Sequence, residues 1–130
     1  MKLIVSSLSQ IPIYEQIKQQ IKEQVFSGTL KSGEQLPSIR MLAKELKVGV
    51  ITSKRAYDDL CEEGVLVSHQ GKGIFVAEVS AESVKDNHLQ LVEEHLRDAV
   101  SLAKQYSISE TEVRSALEKI YKETNSNERN

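Results

Sequence analysis

"VITSKRAYDDLCEEGVLVSHQGKGIFV", residues 50–76, carries two periodicities in succession. Ser53, Ala56, Tyr57 and Leu60 recur at three- and four-residue steps, which predicts the buried stripe of a helix starting near Gly49 and stopping at Gly64. Beyond it, "VLVSH" and "GIFVA" are short runs rich in Val, Ile and Phe, separated by "QGK", the pattern of a β-hairpin. Two of the chain's six glycines flank Lys72 at the tip. Glycine permits tight turning and close backbone approach, so the tip is read as an extended, cationic, side-chain-poor loop.

Upstream, "IPIYEQIKQQIKEQVFSGTL" reads as a helix with Pro12 in its first turn. Ile13, Tyr14, Ile17, Ile21 and Val25 lie on one face, opposite Glu15, Lys18, Lys22 and Glu23, and Gly28 is the stop. After the polar link "KSGEQ", "LPSIRMLAKEL" opens a second, shorter helix with Ser38 as its N-cap. Helix, helix, turn, helix, hairpin is the order of a winged helix-turn-helix.

Downstream, Val84, His88, Leu91, Val92, His95, Ala99, Leu102 and Tyr106 mark one broad helical face. Ser109 and Glu112 form a capping-box pair that starts a last helix, striped by Val113, Ala116, Leu117, Ile120 and Tyr121. "TNSNERN" reads as a polar, frayed tail. The expected fold is therefore mainly α with a small β-hairpin: a winged helix-turn-helix over residues 1–77 and a two-helix appendage over 78–130.

The 130 residues allow one ordinary domain or a small domain plus an appendage, and 28% charged and 39% hydrophobic residues with no Trp suit a helix-rich soluble protein. No apolar run approaches the roughly 18 residues of a membrane span, and residues 1–8 are too short and polar for a secretory leader, so a cytoplasmic protein is expected. Cys61 stands alone and reads as a small core or boundary residue. The formal net charge is -2, unusual for a partner of nucleic acid. It divides unevenly: residues 1–77 carry ten Lys and Arg against eight Asp and Glu, and residues 78–130 seven against eleven. Only the first half has the balance to meet a polyanion.

Within that half the predicted third helix has an odd outer face. Val50, Ile51, Lys54 and Arg55 project away from the buried stripe. Two β-branched residues followed within a turn by two cations suit a DNA major groove, where apolar groups pack on thymine methyls and Lys or Arg reaches guanine edges or phosphates. Arg40 joins this neighbourhood if a tight turn links the two helices, and Lys72 at the hairpin tip adds a third cationic element.

The stretch from Leu36 to Val76 resembles the DNA-binding domain of the GntR family of bacterial transcription regulators. The matching residues are Leu36, Pro37, Ser38, Arg40, Leu42 and Ala43, then Val48, Arg55 and Ala56, then Glu63, Gly64 and Leu66, and at the wing Gln70, Gly71, Gly73, Phe75 and Val76. The resemblance implies double-stranded operator DNA as the partner. Ser38 and Arg40 would contact it from the second helix, Gly49, Val50, Ile51, Thr52, Lys54 and Arg55 would line the major groove, and Gln70, Gly71 and Lys72 would reach the minor groove. Many relatives carry Ser or Asn, then Arg or Pro, then Thr where this chain has Gly49, Val50 and Ile51, so base reading shifts to Thr52 and Lys54. Ser53 stands where a core Val is usual, and its hydroxyl is expected to bond back to the carbonyl four residues earlier.

The roughly 50 residues after Ala77 are too few to enclose an effector pocket. The tail resembles that of the YtrA subfamily, where it serves dimerisation. A second copy would cover apolar stripes that one chain leaves exposed. Leu89, Val92, Leu96, Val100, Val113, Leu117 and Ile120 are assigned to that contact. His88 and His95, seven apart, are an incomplete metal site, and no metal or cofactor is expected. No nucleophile with a paired base and no phosphate-cradling loop stands out, so an enzyme is not expected. The expected function is a homodimeric, sequence-specific transcription regulator, in the first instance a repressor on a pseudo-palindromic operator. The rival is a winged-helix protein-interaction module without DNA binding. The sequence names no small-molecule effector.

Overall fold

The computed structural model describes residues 1–128 and divides into two compact units, Met1–Asn87 and His88–Asn130. Elements follow in the order α1 (Ile13–Phe26), α2 (Ile39–Leu46), α3 (Val50–Glu62), β1 (Leu66–His69), β2 (Gly73–Val76), α4 (Ala81–Gln105) and α5 (Glu110–Glu128). This is a mainly helical fold with one small antiparallel hairpin, as expected.

In the first unit α3 is the central element, packed on α1, α2 and β1. Its Ser53, Ala56, Tyr57 and Leu60 are all buried, and the last three meet Ile17, Ile21 and Val25 of α1 and Leu42 of α2 in one apolar cluster. The hairpin closes the cluster with Leu66 and Val76, which face each other in the register Leu66↔Val76, Val67↔Phe75, Ser68↔Ile74, His69↔Gly73. Tyr57 is fully buried and donates from its hydroxyl to the Pro37 carbonyl at 2.8 Å, tying the middle of α3 to the segment that leads into α2. Burial, helped by Glu45, holds its phenol well above the ordinary tyrosine pKa, so it stays a donor. Ser53 Oγ donates to the Gly49 carbonyl at 3.1 Å, the back-bond anticipated from sequence.

Two features lie outside the sequence-based expectation. The first is a strap along α1. Gln20 pairs with both the N–H and the carbonyl of Ile4, Gln16 with both backbone groups of Ser6, and Gln24 with the carbonyl of Lys2. The spacing is physical: four helical residues rise about 6 Å and two strand residues about 6.6 Å, so glutamines at every fourth position match alternate residues of an extended chain. Leu3 and Val5 then turn onto the core. The second feature is that the polar link before α2 is not free. Gly33 N–H donates to the Val76 carbonyl, Val76 N–H to Glu34 and Leu36 N–H to Ile74, at 2.8 to 2.9 Å, which adds an antiparallel edge to β2.

Three boundaries differ from expectation. Pro12 is the N-cap of α1 and accepts from Gln16 N–H, so the first helical turn begins one residue later. Helix α4 begins at Ala81 and not Val84, because the Ser80 hydroxyl accepts the Ser83 N–H at 3.0 Å and caps it there. Residues 124–128 are helical and not frayed, with the Thr124 hydroxyl bonded to the Ile120 carbonyl; the last two residues of the expected tail lie outside the described residues. Helix α5 is capped by Ser109, whose Oγ accepts the Glu112 N–H at 3.2 Å.

Candidate nucleic-acid interface

Three residues, Lys47, Val48 and Gly49, join α2 to α3. Lys47 takes a left-handed conformation (φ 57°), and Val48 N–H closes on the Ala43 carbonyl at 3.0 Å, a C-cap that turns the chain within one step. The tight turn that Arg40 needed in order to neighbour α3 is therefore present. Arg40 is exposed in the first turn of α2. Ser38 is exposed too, and its hydroxyl accepts the Met41 N–H at 3.1 Å, so it caps the helix.

On α3 the outward face is as the phase of the helix demands. Ile51 is 85% and Val50 50% exposed, large values for β-branched residues, and Gly49, Lys54 and Arg55 are exposed beside them while Thr52 is half-buried. Two of the cations have protein partners that were not foreseen. Lys54 Nζ pairs with Asp58 one turn on at 2.5 Å. The Arg55 guanidinium lies over the Tyr14 ring of α1, 3.7 Å from its centroid. The Lys54–Asp58 pair is legible as an i,i+4 spacing; the Arg55–Tyr14 stack joins different helices and is not.

The acidic end of α3 is neutralised from α1. Lys18 reaches Asp59 at 3.3 Å and Glu63 at 3.2 Å, and Lys22 reaches Glu63 at 2.6 Å. Burial alone would push the Lys18 pKa down and that of Glu63 up. Their mutual bonds outweigh it, leaving Lys18 above the ordinary lysine value and Glu63, also held by Lys22, below the ordinary carboxylate value. Lys18 and Lys22 are thus spent within the fold.

At the wing, Lys72 N–H donates to the His69 carbonyl at 2.9 Å, closing a four-residue turn with Gly71 in third place at φ 79°, as a type II turn requires. Gln70, Gly71 and Lys72 are all exposed. The tight turning expected of the glycines is seen at Gly71, and Gly73 has a second cause that the sequence did not show. Gly71 answers the turn; Gly73, at φ 121°, also lies against the Gln35 carboxamide, where a Cβ would stand 2.6 Å from Nε2.

Because α3 packs on both α2 and β1, one core carries the exposed residues of α2, α3 and the wing. Together they form an outward set of apolar and cationic groups on a helix-turn-helix, followed by a glycine-hinged tip. The family model described as bacterial regulatory proteins, gntR family, matches residues 13–76. The chain belongs to this family. It is 34% identical over 92 residues to the HTH-type transcriptional repressor YtrA of Bacillus subtilis (strain 168), covering 71% of each chain. Among solved structures it is similar to YtrA from Sulfolobus acidocaldarius, a GntR-family transcription factor, with 34% identity, a TM-score of 0.58, and coverage of 74% of this chain and 97% of that one. It is also similar to the AraR DNA-binding domain in complex with operator ORX1, with 32% identity, a TM-score of 0.51, and coverage of 58% and 93%. The chain spans only a third or less of several longer relatives. As a GntR-family winged helix-turn-helix protein it is a DNA-binding transcription regulator.

The second unit is organised differently. Leu89, Val92, Leu96 and Val100 are exposed on α4, Leu117 and Ile120 are exposed on α5, and Val113 is half-buried. Helices α4 and α5 do not pack lengthwise on each other, so the chain does not bring these two groups together. The cleft beside Leu96 and Val100 is lined by α4 residues alone and is open. His88 and His95 are exposed, and among the described residues no three His, Cys, Asp or Glu side chains are grouped to hold a metal. Cys61 is half-buried, its thiol pushed up in pKa by burial and by Asp58. Among the described residues no helix is long and apolar enough to cross a membrane.

Proposed function

We propose that the protein is a cytoplasmic, homodimeric, sequence-specific repressor of the YtrA type that binds a pseudo-palindromic operator. The observation that carries the reading is the outward face of α3. On a helix whose other side is buried, Val50 and Ile51 stand in the open one turn ahead of Lys54 and Arg55. In a major groove the two β-branched residues would pack on thymine methyls, while Thr52 and Lys54 would read base edges. Arg40, Ser38 and the backbone near Gly49 would hold the phosphates, and Gln70, Gly71 and Lys72 would follow the minor groove. Arg55, stacked on Tyr14, reaches the duplex from a fixed position and would serve as a phosphate clamp.

The dimer is supported by how much apolar surface one chain leaves open. At 100° per residue, Leu91, Leu102, Val92, Leu96, Leu89 and Val100 spread over about 180° of α4, wider than a single partner helix needs. A second copy contributing its own α4 and α5 would cover that arc, in the manner of a four-helix contact. Residues 1–77 would then be the DNA-binding domain and 78–130 the dimerisation region.

Selection of bound oligonucleotides from a random pool tests this reading. The expected product is an inverted repeat whose half-sites lie about 10 base pairs apart or a multiple of it. Enrichment of a lone half-site would remove the dimer from the account, and no enrichment would favour a module that binds protein instead.

A further inference from the structure

We propose that Gln35 is a positioning residue for the wing: its carboxamide fixes the tip so that Lys72 is presented to DNA. The inference rests on the assignment of Lys72 to a DNA contact. A two-stranded hairpin with a glycine on each side of its tip lysine is intrinsically loose, because glycine leaves the backbone the most freedom and an isolated hairpin is marginal in water. Something must hold the tip if its lysine is to meet one phosphate.

Gln35 supplies that hold twice. Its backbone lies opposite Phe75 in the edge that residues 33–36 add to β2, which anchors the residue to the strand leading out of the tip. From there its side chain runs toward the turn, and Nε2 donates to the Lys72 carbonyl at 3.0 Å. The space above Gly73 is the seat of this carboxamide. A side chain at position 73 would have to displace it, since a Cβ would stand 2.6 Å from Nε2, and would also be strained at φ 121°. Gly73 and Gln35 are thus two halves of one device: the glycine leaves room, and the glutamine fills it with a donor aimed at the backbone of the one cationic residue on the tip. The bond restrains the main chain of Lys72 and leaves its ammonium free to turn outward.

The test uses the full chain, a labelled mixed-sequence duplex of about 30 base pairs, and binding measured across a salt series. Gln35→Met keeps the length of the stem and removes the donor. Lys72→Ala should flatten the salt dependence by roughly 0.9 log units per log unit of salt for each wing, one phosphate contact apiece. Gln35→Met should reproduce most of that flattening with an unchanged melting temperature. The double variant should bind no worse than Lys72→Ala alone, because a residue that acts through Lys72 has nothing left to position. Wild-type behaviour of Gln35→Met beside a weakened Lys72→Ala overturns the inference and spares the wing contact, as does simple additivity. Wild-type behaviour of Lys72→Ala removes the wing contact itself, and the role of Gln35 with it.

Discussion

Leu96→Asp should give a monomer at micromolar concentration and lower affinity for the full operator by about 100-fold or more, while leaving binding to an isolated half-site unchanged. Leu96 is 44% exposed on α4 and lines an open cleft with Val100, so a carboxylate there is solvated in the single chain and the fold tolerates it. In a symmetric dimer the same substitution places two carboxylates in the seam at once. Burying unpaired charge costs several kcal/mol for each copy, more than a modest interface can offset. The operator loss follows from linkage. Two joined winged units bind the second half-site at an effective concentration that raises avidity by about 10²- to 10⁴-fold, and separation forfeits that gain without touching a single DNA contact. Light scattering after size exclusion, paired with binding to full and half operators, reads both effects. A dimer that survives the substitution would show that α4 is not the seam.

Lys54→Ala should weaken operator binding on the order of 30-fold or more and bring the operator and random duplex closer together in affinity. A specific Lys or Arg contact to a base edge discriminates by about 1–3 kcal/mol, and a dimer makes the contact once in each half-site. The ion pair with Asp58 does not withhold Lys54 from DNA. Both side chains are more than half exposed, and such an i,i+4 pair is worth only a few tenths of a kcal/mol. Asp58→Asn should accordingly leave discrimination intact. Lys72→Ala, on the minor-groove side, should weaken operator and random duplex alike. Equal losses on both duplexes from Lys54→Ala would move base reading away from α3's second turn.

Much of the first unit was legible because its signals are periodic. The stripe Ser53, Ala56, Tyr57 and Leu60 reads at helical spacing, and it is the stripe that is buried. Ser53 at a core position has one nearby acceptor, the carbonyl four residues back, and it uses it. What escaped was side-chain work on backbone. Gln16, Gln20 and Gln24 look like the solvated face of an amphipathic helix, yet their four-residue repeat is the ladder that holds residues 2–6. The link at residues 31–35 looks like a loop, since its pairing with β2 is set by tertiary contact and not by composition. Gln35 inside it gives no local sign that its amide reaches Lys72. The glycines around Lys72 were visible, and so was their part in a tight turn, but nothing local sets Gly73 against a carboxamide. In the second unit the apolar faces were plain in the sequence, and so was the surplus that a single chain leaves exposed.

Amide NMR of the uniformly labelled protein, titrated with the selected duplex, tests the central claim most directly. Shifts should concentrate at residues 38–40, 49–55 and 70–72, three separate segments of sequence carried by one core. Perturbation confined to α4 and α5, or spread without preference for those three segments, would contradict a duplex docked on α2, α3 and the wing.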